Sequence, residues 1–138
     1  MKGILFLCVA NSARSQIAEG IAKTLAPEST QIWSAGSRPT NLRTEAIKVL
    51  KEIGIDISHH RSKEVSEIPS NQVSTVITLC AEEECPLFLG KAQRLHWGLP
   101  DPAAVDGSAE KRLNAFRATR DELLQRLQNW FQTATAIN

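Results

Sequence analysis

The chain has 138 residues, 42% of them hydrophobic and 22% charged, with a formal net charge of +1. That length suits one domain with one core, spanning 1–138, and the composition excludes a disordered chain. The near-zero net charge offers no electrostatic basis for binding nucleic acid or a membrane surface, and no apolar run reaches spanning length.

The first apolar run, from Gly3 to Cys8, predicts a buried strand. It is short and meets a polar stretch instead of a small-residue cleavage site, so it does not read as a secretion signal and a cytoplasmic location is expected. Ser15–Leu25 predicts a helix with Ile17, Ala18, Ile21, Ala22 and Leu25 on one face, stopped by Pro27. Thr30–Ser34 predicts a second strand. Thr44–Ile53 predicts a second helix, with Ala46, Val49, Leu50 and Ile53 at 3–4 spacing and Gly54 closing its C-terminus.

Asp56–Pro69 is irregular, and Val73–Leu79 and Arg94–Leu99 predict two more strands. In the last segment Leu113, Phe116, Leu123, Leu127 and Trp130 recur at helical spacing behind Ser108, a cap candidate. Arg120 shares that stripe and needs an exit or a partner. Strands alternating with helices predict an α/β fold: a three-layer α/β/α arrangement around a four-stranded parallel sheet. Right-handed crossovers gather the strands' C-terminal ends, and any ligand, at one edge. Cys8, Cys80 and Asp101 all fall at or just after such ends.

Three cysteines cannot all pair with one another, which argues against a secreted disulfide framework. In a reducing compartment cysteines serve catalysis, redox exchange or simple burial. Position separates these uses. Cys8, Val9, Ala10, Asn11, Ser12, Ala13, Arg14 and Ser15 link a strand to a helix start. Backbone N–H groups in such a link converge on a tetrahedral oxyanion, and the positive end of the helix dipole points to the same spot. Arg14 supplies a bidentate fork to two oxyanion oxygens. This environment favours a thiolate at Cys8, and Ser15 is placed to donate a hydrogen bond to it. The set suits a nucleophile attacking the central atom of a bound oxyanion.

The segment CVANSARSQIAEG resembles the phosphate-binding loop of the low-molecular-weight protein tyrosine phosphatases. The resemblance extends through WSAGS, GIDISHHRSKEV, VITLC, HWGLPDPAAV and the FRATRDEL helix, nearly the whole chain. Within that fold it is most similar to the thioredoxin-type arsenate reductases, which add two redox cysteines after the third strand. The resemblance implies that Cys8 attacks arsenate and Asp101 acts as general acid. Cys80 then attacks the Cys8 sulfur and expels arsenite, and Cys85 displaces Cys8 to leave a Cys80–Cys85 disulfide, by ordinary thiol–disulfide exchange. The reductant is external, thioredoxin by family default or a glutaredoxin-type system, with no bound cofactor; phosphate and sulfate are expected to compete with arsenate.

The chain also departs from the pattern. Ala13 stands where relatives often carry another cysteine, and Cys80 and Cys85 are closer than in the best-known members, which leaves the final disulfide open. Some relatives bind potassium near the loop through Asn, Glu, Ser and Asp. Asn11, Glu19 and Ser34 match, but Lys63 replaces the acid, so its ammonium is expected to substitute for the cation and no metal is expected. Glu82, Glu83 and Glu84 either disfavour a thiolate at Cys85 or form a solvated loop face. His59 and His60 read as surface or capping residues, and His96 and Trp97 as packing residues. The alternative activity is phosphate-ester hydrolysis through a phosphocysteine. It is weakened for aryl substrates by Ala103 and Ala104 after Asp101-Pro102 and by the absence of any tyrosine. A non-catalytic oxyanion-binding module would not need Cys8.

Overall fold

The computed structural model describes residues 3–81, 88 and 90–137, with side chains through 133. Strands β1 (Gly3–Cys8), β2 (Gln31–Gly36), β3 (Thr75–Cys80) and β4 (Gln93–Leu99) form one parallel sheet in the order β2-β1-β3-β4. Helices α1 (Arg14–Leu25), α2 (Thr44–Lys51) and α3 (Ala109–Ile137) alternate with them as expected. Among the described residues no helix is long and apolar enough to cross a membrane.

Alternation along each strand divides the core in two. Ile4 and Phe6 of β1, Ile77 and Leu79 of β3 pack against Ile17 and Ile21 of α1, Leu50 of α2 and Phe116, Leu123 and Leu127 of α3. The residues between them, Leu5, Leu7 and Val76, pack with Ile68, Val73 and Phe88 on the opposite face. The three α-helices thus cover one face. The described cover on the other comes from segments around the 3₁₀ turns Val65–Glu67 and Ser70–Gln72.

The ends differ slightly from the sequence reading, for tertiary reasons. β2 runs two residues further because Ala35 and Gly36 pair with Leu7 and Cys8. The regular part of α2 ends at Lys51, and the chain closes with Ile55 N–H donating to Leu50 O (2.9 Å) and Gly54 N–H to Lys51 O (3.0 Å). That is a Schellman closure with Gly54 at φ +81°, a conformation that favours glycine. Ser108 Oγ accepts from Lys111 N at 3.1 Å and caps α3. Arg120 finds its partners in α2 and the turn after it: Nη1 donates to Glu52 Oε1 (2.7 Å) and to Val49 O (2.9 Å).

Two sequence expectations are corrected. His96 does not pack; it is exposed, with Nδ1 2.7 Å from Thr78 Oγ1, because it lies on the face of β4 away from the helices. His60 is not a surface residue, since its ring is drawn inward onto Gln16 and Glu19 of α1. Trp97 does pack, edge-on to Trp130 at 6.0 Å.

Candidate active site

Cys8 is the last residue of β1, 2% exposed, and a free thiol. The loop after it is shaped from outside. Val9 O accepts from Arg38 N (2.9 Å), Ala10 O from Thr40 N (3.0 Å) and Ser12 O from Arg43 N (2.9 Å). Asn11 O accepts from Ser62 Oγ at 2.7 Å and Gln16 Nε2 at 3.2 Å. In a trans peptide the N–H points opposite the preceding C=O. With four successive carbonyls bound outward, the N–H groups of Ala10, Asn11, Ser12 and Ala13 turn to the loop's inner side. Helix α1 begins at Arg14, and its N-cap, Ala13, has no side chain that caps the first turn. Its N-terminal donors and dipole therefore face the same space.

Asn11 holds the loop's tightest turn at φ 49°, a left-handed conformation that asparagine tolerates better than most residues. Its amide is committed on both sides: Oδ1 accepts from Lys63 N (2.8 Å) and Gln16 Nε2 (3.1 Å), and Nδ2 donates to Ser15 Oγ (2.7 Å). Ser15 Oγ lies 2.9 Å from Cys8 Sγ. Because that oxygen already accepts from Asn11, its own proton is available to the sulfur. Gly36 lets the loop lie against β2, since a Cβ there would meet Val9 O at 2.3 Å and Cys8 O at 2.9 Å.

Arg14 is buried and ties the loop to two strand ends, donating from Nη1 to Leu99 O (2.9 Å) and Leu79 O (3.4 Å). Its Nη2 lies 4.0 Å from Asp101 Oδ2. Asp101, 37% exposed at its side chain, uses Oδ1 to accept from Ala103 N at 2.9 Å. It therefore starts the turn before Pro102 and also presents its second oxygen to the loop's arginine.

Behind the loop lies a buried ion cluster. Glu19 accepts from Ser34 Oγ (2.5 Å) and Lys23 Nζ (2.6 Å), with Lys63 Nζ and His60 Nδ1 each at 3.7 Å. Burial pushes the Glu19 carboxyl up, but those hydrogen bonds and the two lysine charges outweigh it and hold it below the ordinary carboxylate range. Burial pushes the His60 imidazole below its ordinary value, more strongly than the Glu19 charge raises it.

A thiol hydrogen-bonded at the base of inward N–H groups, an arginine at the rim and an aspartate beside it can bind a tetrahedral oxyanion and attack its centre. Residues 3–137 match the family described as low molecular weight phosphotyrosine protein phosphatase. The chain belongs to that family. Among curated relatives, an arsenate reductase of Bacillus subtilis is 40% identical over 134 residues, 96% of each chain. A solved structure described as an arsenate reductase in the phosphate binding state is 31% identical, with a TM-score of 0.79 over 96% of this chain and 98% of that one. A thioredoxin-dependent arsenate reductase of Corynebacterium glutamicum is 26% identical, with a TM-score of 0.62 over 93% of this chain and 62% of that one.

In this phosphatase-family chain, Cys80 ends β3, the neighbour of β1, and is 1% exposed. The neighbouring strands were expected; the side-chain direction was not. β1 and β3 pair Leu7 with Thr78, so Leu79 lies level with Cys8 and shares its face. Alternation puts Cys80 one residue on and on the opposite face. Cys85 and the three glutamates before it lie outside the described residues. Sequence reading missed Gln16, His60 and Ser62 as supports of the loop. Gln16 lies 45 residues from its partner Arg61 O, and no local pattern marks such a contact.

Proposed function

We propose that this chain reduces arsenate to arsenite, as its arsenate reductase relatives are named for doing. The observation that carries the reading is the placement of Cys80. Its preceding carbonyl, Leu79 O, is held by Arg14, the residue that would grip the oxyanion. A phosphatase needs only the Cys8 loop, whereas a two-electron reduction needs a second thiol within reach of the first.

In this reading Cys8 attacks arsenate held by the loop amides and Arg14, and Asp101 protonates the departing oxygen. Cys80 next attacks the Cys8 sulfur; the pair is oxidised to a disulfide, and As(V) leaves as As(III). Because Cys80 starts on the opposite face of the sheet, this step requires the end of β3 to turn. Cys85 then takes over the bond to Cys80, and an external thiol reductant in the cytosol, thioredoxin or a glutaredoxin-type protein, restores both thiols. The thioredoxin-dependent relative supports the first of these donors. No resident cofactor or metal takes part.

The test is arsenate-dependent NADPH oxidation coupled through thioredoxin and its reductase, for wild type, Cys80→Ser and Cys85→Ser. Loss of turnover in both variants, with aryl-phosphate hydrolysis kept, supports the relay. Absence of arsenate turnover with any thiol donor, alongside robust aryl-phosphate hydrolysis, makes the chain a phosphatase.

A further inference from the structure

Gln16, in the first turn of α1, is fully buried, and the scheme above gives it no part. Its neighbours fix the orientation of its amide. Nε2 lies 3.2 Å from Asn11 O and 2.9 Å from Arg61 O, carbonyls that can only accept, so this end is the NH2. It also donates to Asn11 Oδ1 at 3.1 Å. Two N–H groups meet three oxygens, so one of them is shared. The other amide atom, Oε1, can only accept, and His60 Nδ1 stands 3.0 Å from it. His60 therefore carries a proton on Nδ1 and donates it to Gln16. Glu19 Oε2, 3.7 Å from the same nitrogen, is beyond hydrogen-bond reach.

The direction stays fixed beyond Gln16. Asn11 Oδ1 also accepts from the backbone N–H of Lys63 at 2.8 Å, which leaves Nδ2 as the atom facing Ser15 Oγ at 2.7 Å. Ser15 Oγ is 2.9 Å from Cys8 Sγ. Once that sulfur is a thiolate it has no proton, and only the hydroxyl can donate. Four hydrogen bonds then run head to tail, from His60 Nδ1–H through Gln16, Asn11 and Ser15 to the Cys8 sulfur. Asn11, Ser15 and Gln16 are fully buried, and the His60 side chain is 5% exposed. In so dry a setting each donor is polarised by the one behind it.

We propose that Gln16 is a positioning residue for the attacking thiolate: it couples His60 to the Asn11–Ser15 pair, so that the hydroxyl proton points at the Cys8 sulfur. The proposal rests on Cys8 being the nucleophile. It holds whether the attack ends in arsenite or in hydrolysis of a phosphate ester. No covalent bond changes along the series, and each proton stays on its donor.

The experiment measures alkylation of Cys8 by iodoacetamide at one fixed pH, on fully reduced, full-length protein, by mass spectrometry of the Cys8 peptide. The Kd for inorganic phosphate is titrated alongside. Gln16→Leu is expected to slow alkylation by about tenfold. In a Ser15→Ala background the same substitution is expected to add less than about twofold, because the series acts only through that hydroxyl. His60 lies outside the loop and gives a second, milder probe. His60→Leu is expected to slow alkylation by about threefold or more, and His60→Asn, whose amide restores a donor to Gln16 Oε1, to recover most of the wild-type rate. Phosphate Kd is expected to stay within about threefold throughout, since the Val9, Ala10 and Ser12 carbonyls keep their own backbone partners. Full additivity of Gln16→Leu with Ser15→Ala overturns the proposal, and so does wild-type alkylation in His60→Leu. A loss of phosphate affinity that matches the loss of alkylation reduces both residues to scaffolding and overturns it as well. Turnover by Cys8→Ser at the wild-type rate overturns the nucleophile reading and the proposal together.

Discussion

Ser15 Oγ sits 2.9 Å from Cys8 Sγ while accepting a hydrogen from Asn11 Nδ2 at 2.7 Å. The asparagine that bends the loop therefore also aims the hydroxyl at the Cys8 sulfur. A hydrogen bond to a charged partner contributes about 1.5–3 kcal/mol, and about 1.4 kcal/mol is tenfold in rate. Ser15→Ala is expected to slow Cys8 alkylation by iodoacetamide, and turnover with it, by about 10- to 100-fold. Unchanged alkylation would show that the contact leaves the sulfur's reactivity alone.

Arg14 donates to Leu99 O and Leu79 O and lies beside Asp101. A lysine retains the charge but not the planar fork, and it cannot reach both carbonyls with the same geometry. Arg14→Lys is expected to lower kcat/KM by about a hundredfold and to weaken phosphate binding in a titration. Retention of wild-type kcat/KM would mean that charge alone suffices at this rim.

Gly36 faces backbone oxygens of the loop, with Val9 O at 2.3 Å from any added Cβ. Neither partner is a flexible side chain that can step aside. Gly36→Ala is expected to cost about 3 kcal/mol in urea unfolding and to reduce phosphate affinity by displacing Val9. Equal stability and affinity would contradict the close approach.

The ion cluster behind the loop makes stability depend on pH, with a definite sign. His60, whose ordinary value is 6.5, is held lower by burial. The unfolded chain takes up that proton first, so stability falls as pH drops below about 6.5. Glu19 is held below its ordinary 4.5, so its contribution is present above 4.5 and is lost as pH falls through the folded value. Urea midpoints measured between pH 7.5 and pH 5 (about one midpoint per half unit) are expected to fall steadily in wild type. In His60→Gln the fall over that interval is expected to be smaller, and an identical slope would sink the assignment.

Lys63 Nζ lies 3.7 Å from Glu19 Oε1 and donates to Arg61 O at 3.0 Å. With an ammonium already facing the carboxylate, added potassium has little charge left to neutralise. Turnover is expected to be the same in potassium and sodium salts at equal ionic strength. A clear stimulation by potassium would refute this.

The elements and the Cys8–Ser15 loop were legible because both are written in short-range patterns. Short apolar runs and period-3.6 apolar spacing marked four strands and three helices. Cys8 and Arg14 are close in sequence, so their meeting at a strand-to-helix turn follows from local geometry. Asp101 needed more: its neighbour Pro102 announces a turn, but its approach to Arg14 depends on β4 lying where it does.

The rest was decided by contacts between distant segments. Gln16, His60 and Ser62 carry no motif; they matter because buried carbonyls and amides must find partners: Ser62 reaches Asn11 O from 51 residues away, and Gln16, met by His60, joins Asn11 to Arg61 O, 45 residues on from Gln16. The facing of Cys80 away from Cys8 depends on the register of β1 against β3, and the pairing of Cys80 with Leu99 on a one-residue slip in the β3–β4 ladder. The chain's sequence by itself determined the α/β order and the placing of Cys8 and Arg14 on one strand-to-helix turn, since apolar patterning and turn spacing act within a few residues. Register, facing and second partners belong to the tertiary structure alone, because a single residue's shift in pairing exchanges the two faces of a sheet without altering any local pattern.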